Sequence, residues 1–105
     1  MIFKALFLAH APDAEMKKHR AAIETSKFNL QVVIVRDQSQ AISVAKEMVK
    51  KEGIHSILLC PGFTHRDVYE IQEAVENRAG VFVARGDSPS MRITREIMEK
   101  TGWFK

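Results

Sequence analysis

IFKALFLAH, residues 2–10, is a short apolar run rich in Phe, Leu and Ile, and the turn-forming pair Ala11 and Pro12 follows it directly. Three later runs share its character: residues 30–36 (LQVVIVR), 54–60 (IHSILLC) and 80–85 (GVFVAR). Each run is short and ends at a turn or a polar cluster, which is typical of strands. Because the runs are apolar almost throughout, they predict strands buried on both faces, as in a parallel sheet covered by helices.

Helical patterns lie between and after these strands. The predicted helices are residues 13–25, 39–52, 65–78 and 89–101. The second has a clear apolar stripe of period 3.6, with Ser39 as the expected N-cap and Gly53 as the expected stop. In the third, Thr64 and Asp67 have the spacing of a capping box. For the last helix, Ser88 is the expected N-cap.

The order of these elements is β-α-β-α-β-α-β-α, which predicts an α/β fold with right-handed crossovers. We expect a single domain over residues 1–105, with a four-stranded parallel sheet in a three-layer α/β/α arrangement. The expected strand order is 2-1-3-4, which is flavodoxin-like or Rossmann-like. The apolar tail, residues 102–105, is expected to dock on the core or to help form a subunit interface.

Composition excludes several classes of protein. The net charge is only +3, and the basic residues alternate with acids instead of forming a patch, so nucleic-acid binding is not expected. No apolar segment has the length needed to cross a bilayer, so no membrane partner is expected. Cys60 is the one cysteine, which excludes an intramolecular disulfide and fits a reducing compartment, with the cytoplasm as the default.

Ligands of open parallel sheets bind beyond the carboxyl ends of the strands, at the point where the strand order reverses. In the predicted order this point lies between the ends of strands 1 and 3, so the candidate site residues are sought there. The two loops that meet there, and the end of strand 4, supply the candidate ligand-binding residues His10, Cys60, Gly62, Phe63, Thr64, His65 and Arg85.

Several chemical roles are open to these residues. Gly62 and Thr64 precede a helix, where backbone N–H groups can bind an anion. Arg85 could pair with a carboxylate or phosphate of a ligand, or with Asp87. Cys60 could act as a nucleophile with a nearby histidine, or serve as a small apolar core residue. His10 could be functional or could simply bond to loop backbone.

Known cofactor signatures are missing from the chain. It contains no GxGxxG and no GxxxxGK[ST] pattern, so no dinucleotide or nucleoside triphosphate site is expected. His, Cys and acidic residues do not recur at metal-ligand spacings, so no metal site is expected either. The sequence therefore predicts no cofactor.

The segments LFLAHAPDAE…KHRAAIET (residues 6–25) and LLCPGF (residues 58–63), together with the second strand and helix, resemble a family of short bacterial and archaeal α/β proteins of unknown function. The resemblance covers nearly the whole chain. It implies the α/β fold and supplies no catalytic residues.

These observations favour a small binding domain, expected to be homo-oligomeric, that holds a small molecule between strands 1 and 3, with an anion among the candidates. Two alternatives stay open. One is a small enzyme that uses Cys60 or His10. The other is an oligomeric interaction module whose sheet edges or helices assemble subunits.

Overall fold

Five strands and three α-helices make up the computed structural model, which describes residues 1–105. The strands are β1 (Phe3–His10), β2 (Arg20–Glu24), β3 (Phe28–Val35), β4 (Ser56–Leu59) and β5 (Gly80–Val83). The helices are α1 (Gln38–Glu52), α2 (His65–Ala74) and α3 (Met91–Lys100), and a 3-10 turn at Ser88–Ser90 precedes α3. The predicted α/β class is confirmed.

The sheet has the order β2-β3-β1-β4-β5. The central strand β1 runs parallel to both β3 and β4, and β4 runs parallel to β5. The strands predicted from the four apolar runs thus lie side by side in the expected relative order. The description as a four-stranded, wholly parallel sheet is wrong, because β2 adds a fifth strand antiparallel to β3.

The extra strand occupies part of the segment predicted as the first helix, residues 13–25. A single turn forms there, in which the His19 backbone N–H donates to the Glu15 carbonyl at 2.8 Å. The chain then extends as β2, and Ile23 pairs opposite Leu30 of β3. A tight turn joins the two strands, with the Thr25 hydroxyl accepting a hydrogen bond from the Phe28 N–H at 2.9 Å.

Both α1 and α2 cover one face of the sheet, and the core lies beneath them. All of the core residues are hydrophobic. Alternate strand residues point into the core, as the period of two requires. They are Leu6, Leu8, Val33, Val35, Ile57 and Leu59.

The ends of α1 and α2 differ in part from the predicted bounds, and local hydrogen bonds and backbone angles account for the differences. The N-cap of α1 is Asp37 and not Ser39, because the Asp37 carboxylate reaches the Gln40 N–H at 2.9 Å. The predicted stop at Gly53 is confirmed by its left-handed φ of 67°. Helix α2 ends before residue 78, because Glu76 and Asn77 adopt positive φ angles of 54° and 55°.

The opposite face of the sheet is open, so the predicted three-layer arrangement is wrong. Helices cover only one side, since residues 13–25 do not form the helix that would have covered the other. Large apolar side chains on the open face reach solvent, among them Phe82 at 58% and Leu58 at 42% exposure.

Helix α3 stands away from the sheet and has no buried residue. It begins at Met91 after the 3-10 turn, so Ser90 and not Ser88 precedes it as N-cap. The tail does not dock on the core, because Phe104 is 55% exposed and lies under the Arg95 guanidinium instead. None of the helices has the length and apolarity required to cross a membrane.

Candidate functional site

The carboxyl ends of the parallel strands meet at one edge of the sheet. His10 pairs with Val35 at the end of β3, and Leu8 pairs with Leu59 at the end of β4. The ladder continues one residue further, where the Cys60 N–H donates to the Leu8 carbonyl at 3.0 Å. His10 and the loop that begins at Cys60 are therefore neighbours, as the predicted strand order requires.

An aromatic stack occupies the centre of this crevice. The His10 imidazole lies against the ring of Phe63, with the ring centroids 3.9 Å apart and the planes at 18°. Phe63 is fully buried, so it fixes the position of the imidazole. A Cβ atom on Gly62 would lie 3.3 Å from His10 Nδ1 and 3.7 Å from Cys60 Sγ. The loop can approach the histidine this closely because residue 62 has no side chain.

Burial of the His10 imidazole opposes its protonation. Burial lowers the pKa of His10 below its ordinary value of 6.5, against the opposing influence of the Asp67 and Asp37 carboxylates. The Nε2 atom is enclosed and has no hydrogen-bond partner. Buried polar atoms nearly always have a partner, so an unpaired one at a sheet edge calls for an explanation.

Cys60 lies half-buried beside His10. Its Sγ atom accepts a hydrogen bond from the His10 backbone N–H at 3.4 Å. The contact involves the backbone of His10 and not its imidazole. The structure therefore lacks the thiol–imidazole hydrogen bond that activates cysteine nucleophiles.

Thr64 and Asp67 form the predicted capping box at the start of α2. The Thr64 hydroxyl accepts from the Asp67 N–H at 3.1 Å, and the Asp67 carboxylate accepts from the Thr64 N–H at 2.9 Å. Two of the backbone donors that could hold an external anion are thereby occupied. His65 is the first residue of α2 and is exposed, and its imidazole makes no hydrogen bond within the protein.

Arg85 reaches back across the end of the sheet to the loop after β4. Its Nη1 donates to the Phe63 carbonyl at 2.9 Å and to the Pro61 carbonyl at 3.4 Å. The pairing with Asp87 considered from the sequence does not form, and no carboxylate lies within salt-bridge distance of Arg85. The guanidinium is thus held beside the crevice with its charge uncompensated.

Sequence reasoning missed Gln38 at this edge. Gln38 opens α1, and its Nε2 donates to the Asp67 carbonyl at 3.0 Å and to a Glu70 carboxylate oxygen at 3.2 Å. Its Oε1 is enclosed without a partner, like His10 Nε2. The available signal was the end of the second apolar run at residue 36, since β3 also ends beside β1 and delivers the next residues to the same edge.

Metal binding has no support in the arrangement of side chains, because no group of three His, Cys, Asp or Glu residues is placed to hold an ion.

A family model described as a family of unknown function (DUF6506) matches residues 3–99. The chain belongs to that family, which confirms the resemblance seen in the sequence. Neither the curated proteins nor the solved structures include a significant match to the chain.

Proposed function

We propose that this member of a family of unknown function binds a small polar molecule at the crevice formed by His10, Gly62 to His65, Gln38 and Arg85. One observation carries the proposal. Of all the side chains, only those of His10 and Gln38 contain enclosed polar atoms without hydrogen-bond partners, and both flank the carboxyl edge of the sheet. That edge is where open α/β sheets hold ligands.

Arg85 favours a ligand that carries an anionic oxygen. Its guanidinium is anchored to the Phe63 carbonyl and has no carboxylate partner, so it can still bind a carboxylate or phosphate group through its other nitrogens. The Asp37 and Asp67 carboxylates cap the N-termini of α1 and α2. Two negative charges therefore already lie near the crevice, and they limit how much further negative charge a ligand can carry. A singly charged ligand with further hydrogen-bonding groups fits this balance better than a highly charged one.

The proposal predicts a thermal shift with simple anionic probes. Inorganic phosphate and small carboxylic acids would be screened at concentrations up to tens of millimolar. Binding at ten times the dissociation constant stabilises a protein by about 1.4 kcal/mol, which corresponds to a rise in Tm of roughly 5–10 °C for a chain of this size.

Two variants make the screen specific. Arg85→Gln should abolish the shift, because it removes the charge at the crevice. Arg78→Gln is the matched control, since Arg78 pairs with Glu76 at the surface and should leave the shift unchanged. The proposal fails if no probe stabilises the protein, or if the Arg85→Gln variant responds as strongly as the unaltered protein.

A further inference from the structure

The open face of the sheet is apolar across its whole width. The strand register places only uncharged residues there. They include Phe3, Phe28, Leu30, Leu58, Phe82 and Ile23. A depression of about 420 Å³ lies in this face, and seven of its eight lining residues are hydrophobic. Sheets built of parallel strands rarely leave a face to water, because helices normally cover both sides.

Helix α3 likewise leaves apolar side chains without a packing partner. Met91, Ile93 and Ile97 of the helix are each more than half exposed. Its charged residues pair among themselves along the helix, Arg92 with Glu96 and Arg95 with Glu99. An amphipathic helix with a self-paired polar side and a bare apolar side is built to lie on an apolar surface.

The accessible surface of the chain is larger than a folded monomer of its mass normally has. The accessible surface is 7229 Å², whereas a folded monomer of this mass exposes about 6,000 Å². The excess of roughly 1,200 Å² is more than the 800 Å² or so that each partner buries in a standard interface. The shape agrees, since the molecule extends over 43 Å in one direction against 29 and 27 Å in the others.

The chain's own α3 is too small to cover this face. Ten residues of helix are about 15 Å long and 10 Å wide. Five strands at about 4.8 Å spacing place the outer strands roughly 19 Å apart, and the longest strands run for about 26 Å. A helix folded back from the same chain would leave more than half of the face in water. A second copy brings both a further α3 and a further sheet face.

We propose that two copies of this chain associate through their open sheet faces, and that α3 of each copy packs on the sheet of its partner. The apolar stripe of α3 then faces Leu58 and Phe82 of the partner, and its paired charges stay in water. The absence of charged residues on the sheet face matches this occupant.

Sedimentation or light scattering of the full chain tests the association. The unaltered protein should be a dimer at micromolar concentration. Phe82→Asp and Ile97→Asp should each raise the dissociation constant by roughly tenfold or more, because each buries an unpaired charge in the interface. Tyr69→Asp is the matched control, since Tyr69 is a similarly exposed aromatic residue on α2. Circular dichroism of each variant serves as the check that it is folded.

A strict monomer at high concentration would overturn the proposal, and so would a dimer that Phe82→Asp and Ile97→Asp leave intact. Disulfide trapping tests, independently of the dissociation constant, whether α3 of each copy packs on the sheet of its partner (the exchange of α3). In a Cys60→Ala background, chains carrying Phe82→Cys are mixed with chains carrying Ile97→Cys. A covalent heterodimer is the expected product. If, in a chain that carries both substitutions, the disulfide forms only within the chain, α3 lies on its own sheet and the exchange is refuted.

Discussion

The His10 imidazole is stacked on Phe63 and partly buried, and this burial disfavours its protonated form. Burial lowers the pKa of His10 in the folded protein, while the unfolded chain has the ordinary value near 6.5. Below pH 6.5 the unfolded state therefore takes up the proton more readily. We expect the free energy of unfolding to fall as the pH drops from 6.5 through the folded pKa, and His10 to contribute no pH dependence above that range.

Urea unfolding of the unaltered protein and of His10→Gln, each between pH 5 and 8, measures this contribution. Carboxylates that titrate in both proteins cancel in the difference between the two. The free energy of unfolding of the unaltered protein, relative to that of His10→Gln, should fall as the pH drops below 6.5. Parallel profiles over the whole range would show that the pKa of His10 is not lowered.

Gly62 provides a second prediction at the level of a single residue. A methyl group there would press on His10 Nδ1 at 3.3 Å, and the stack would have to shift by a few tenths of an ångström. We expect Gly62→Ala to lower the free energy of unfolding by about 1 kcal/mol. Gly86→Ala is the control, because the nearest atom to a Cβ there is 4.0 Å away. Equal urea midpoints for the two variants would contradict the expected contact.

The two helix starts differ in how they are capped, which allows a matched prediction for the elements. The Thr64 hydroxyl accepts the Asp67 N–H at the start of α2, whereas Ser90 makes no side-chain hydrogen bond at the start of α3. Thr64→Ala should therefore lower the free energy of unfolding by about 1 kcal/mol. Ser90→Ala should change it by less than about 0.5 kcal/mol. Chemical denaturation measures both, and equal losses would argue against the assigned caps.

Most elements follow from local pattern. The four apolar runs predicted β1, β3, β4 and β5, because a continuous apolar strand leaves few alternatives. The predicted helix over residues 13–25 is wrong. Met16, His19 and Ile23 have helical spacing, whereas the strand-like alternation of apolar residues is limited to Ala21 and Ile23. Pairing with β3 outweighs so weak a helical preference.

The candidate site was predictable to the extent that topology fixes it. The strand order brought His10 next to the loop after β4, and the spacing of Thr64 and Asp67 identified the capping box. The position of Gln38 and the candidacy of Arg85 follow from the strand order, but their hydrogen bonds do not, because those bonds join elements distant in the sequence. The open face was missed for the same reason as β2, since both follow from residues 13–25.

For the molecule as a whole, the proposed dimer links stability to concentration. A partner that binds only the folded chain raises the apparent stability by mass action. The Tm of the unaltered protein should rise by several degrees between 1 and 100 µM, whereas that of Phe82→Asp should show a smaller rise. Calorimetry or fluorescence melting at a series of concentrations measures this. A Tm that is independent of concentration in the unaltered protein would contradict the dimer.

The central position of β1 has a consequence for how the chain is made. Phe3 pairs with Phe28, and Ala5 pairs with Ser56, so β1 is synthesised before both of the strands that it pairs with. At ordinary translation rates, Ser56 is synthesised roughly 3–10 s after Ala5. During that interval the apolar segment from Phe3 to His10 has no completed sheet to join. We therefore expect this segment of the nascent chain to remain exposed to aggregation, and open to binding by chaperones, until β4 emerges.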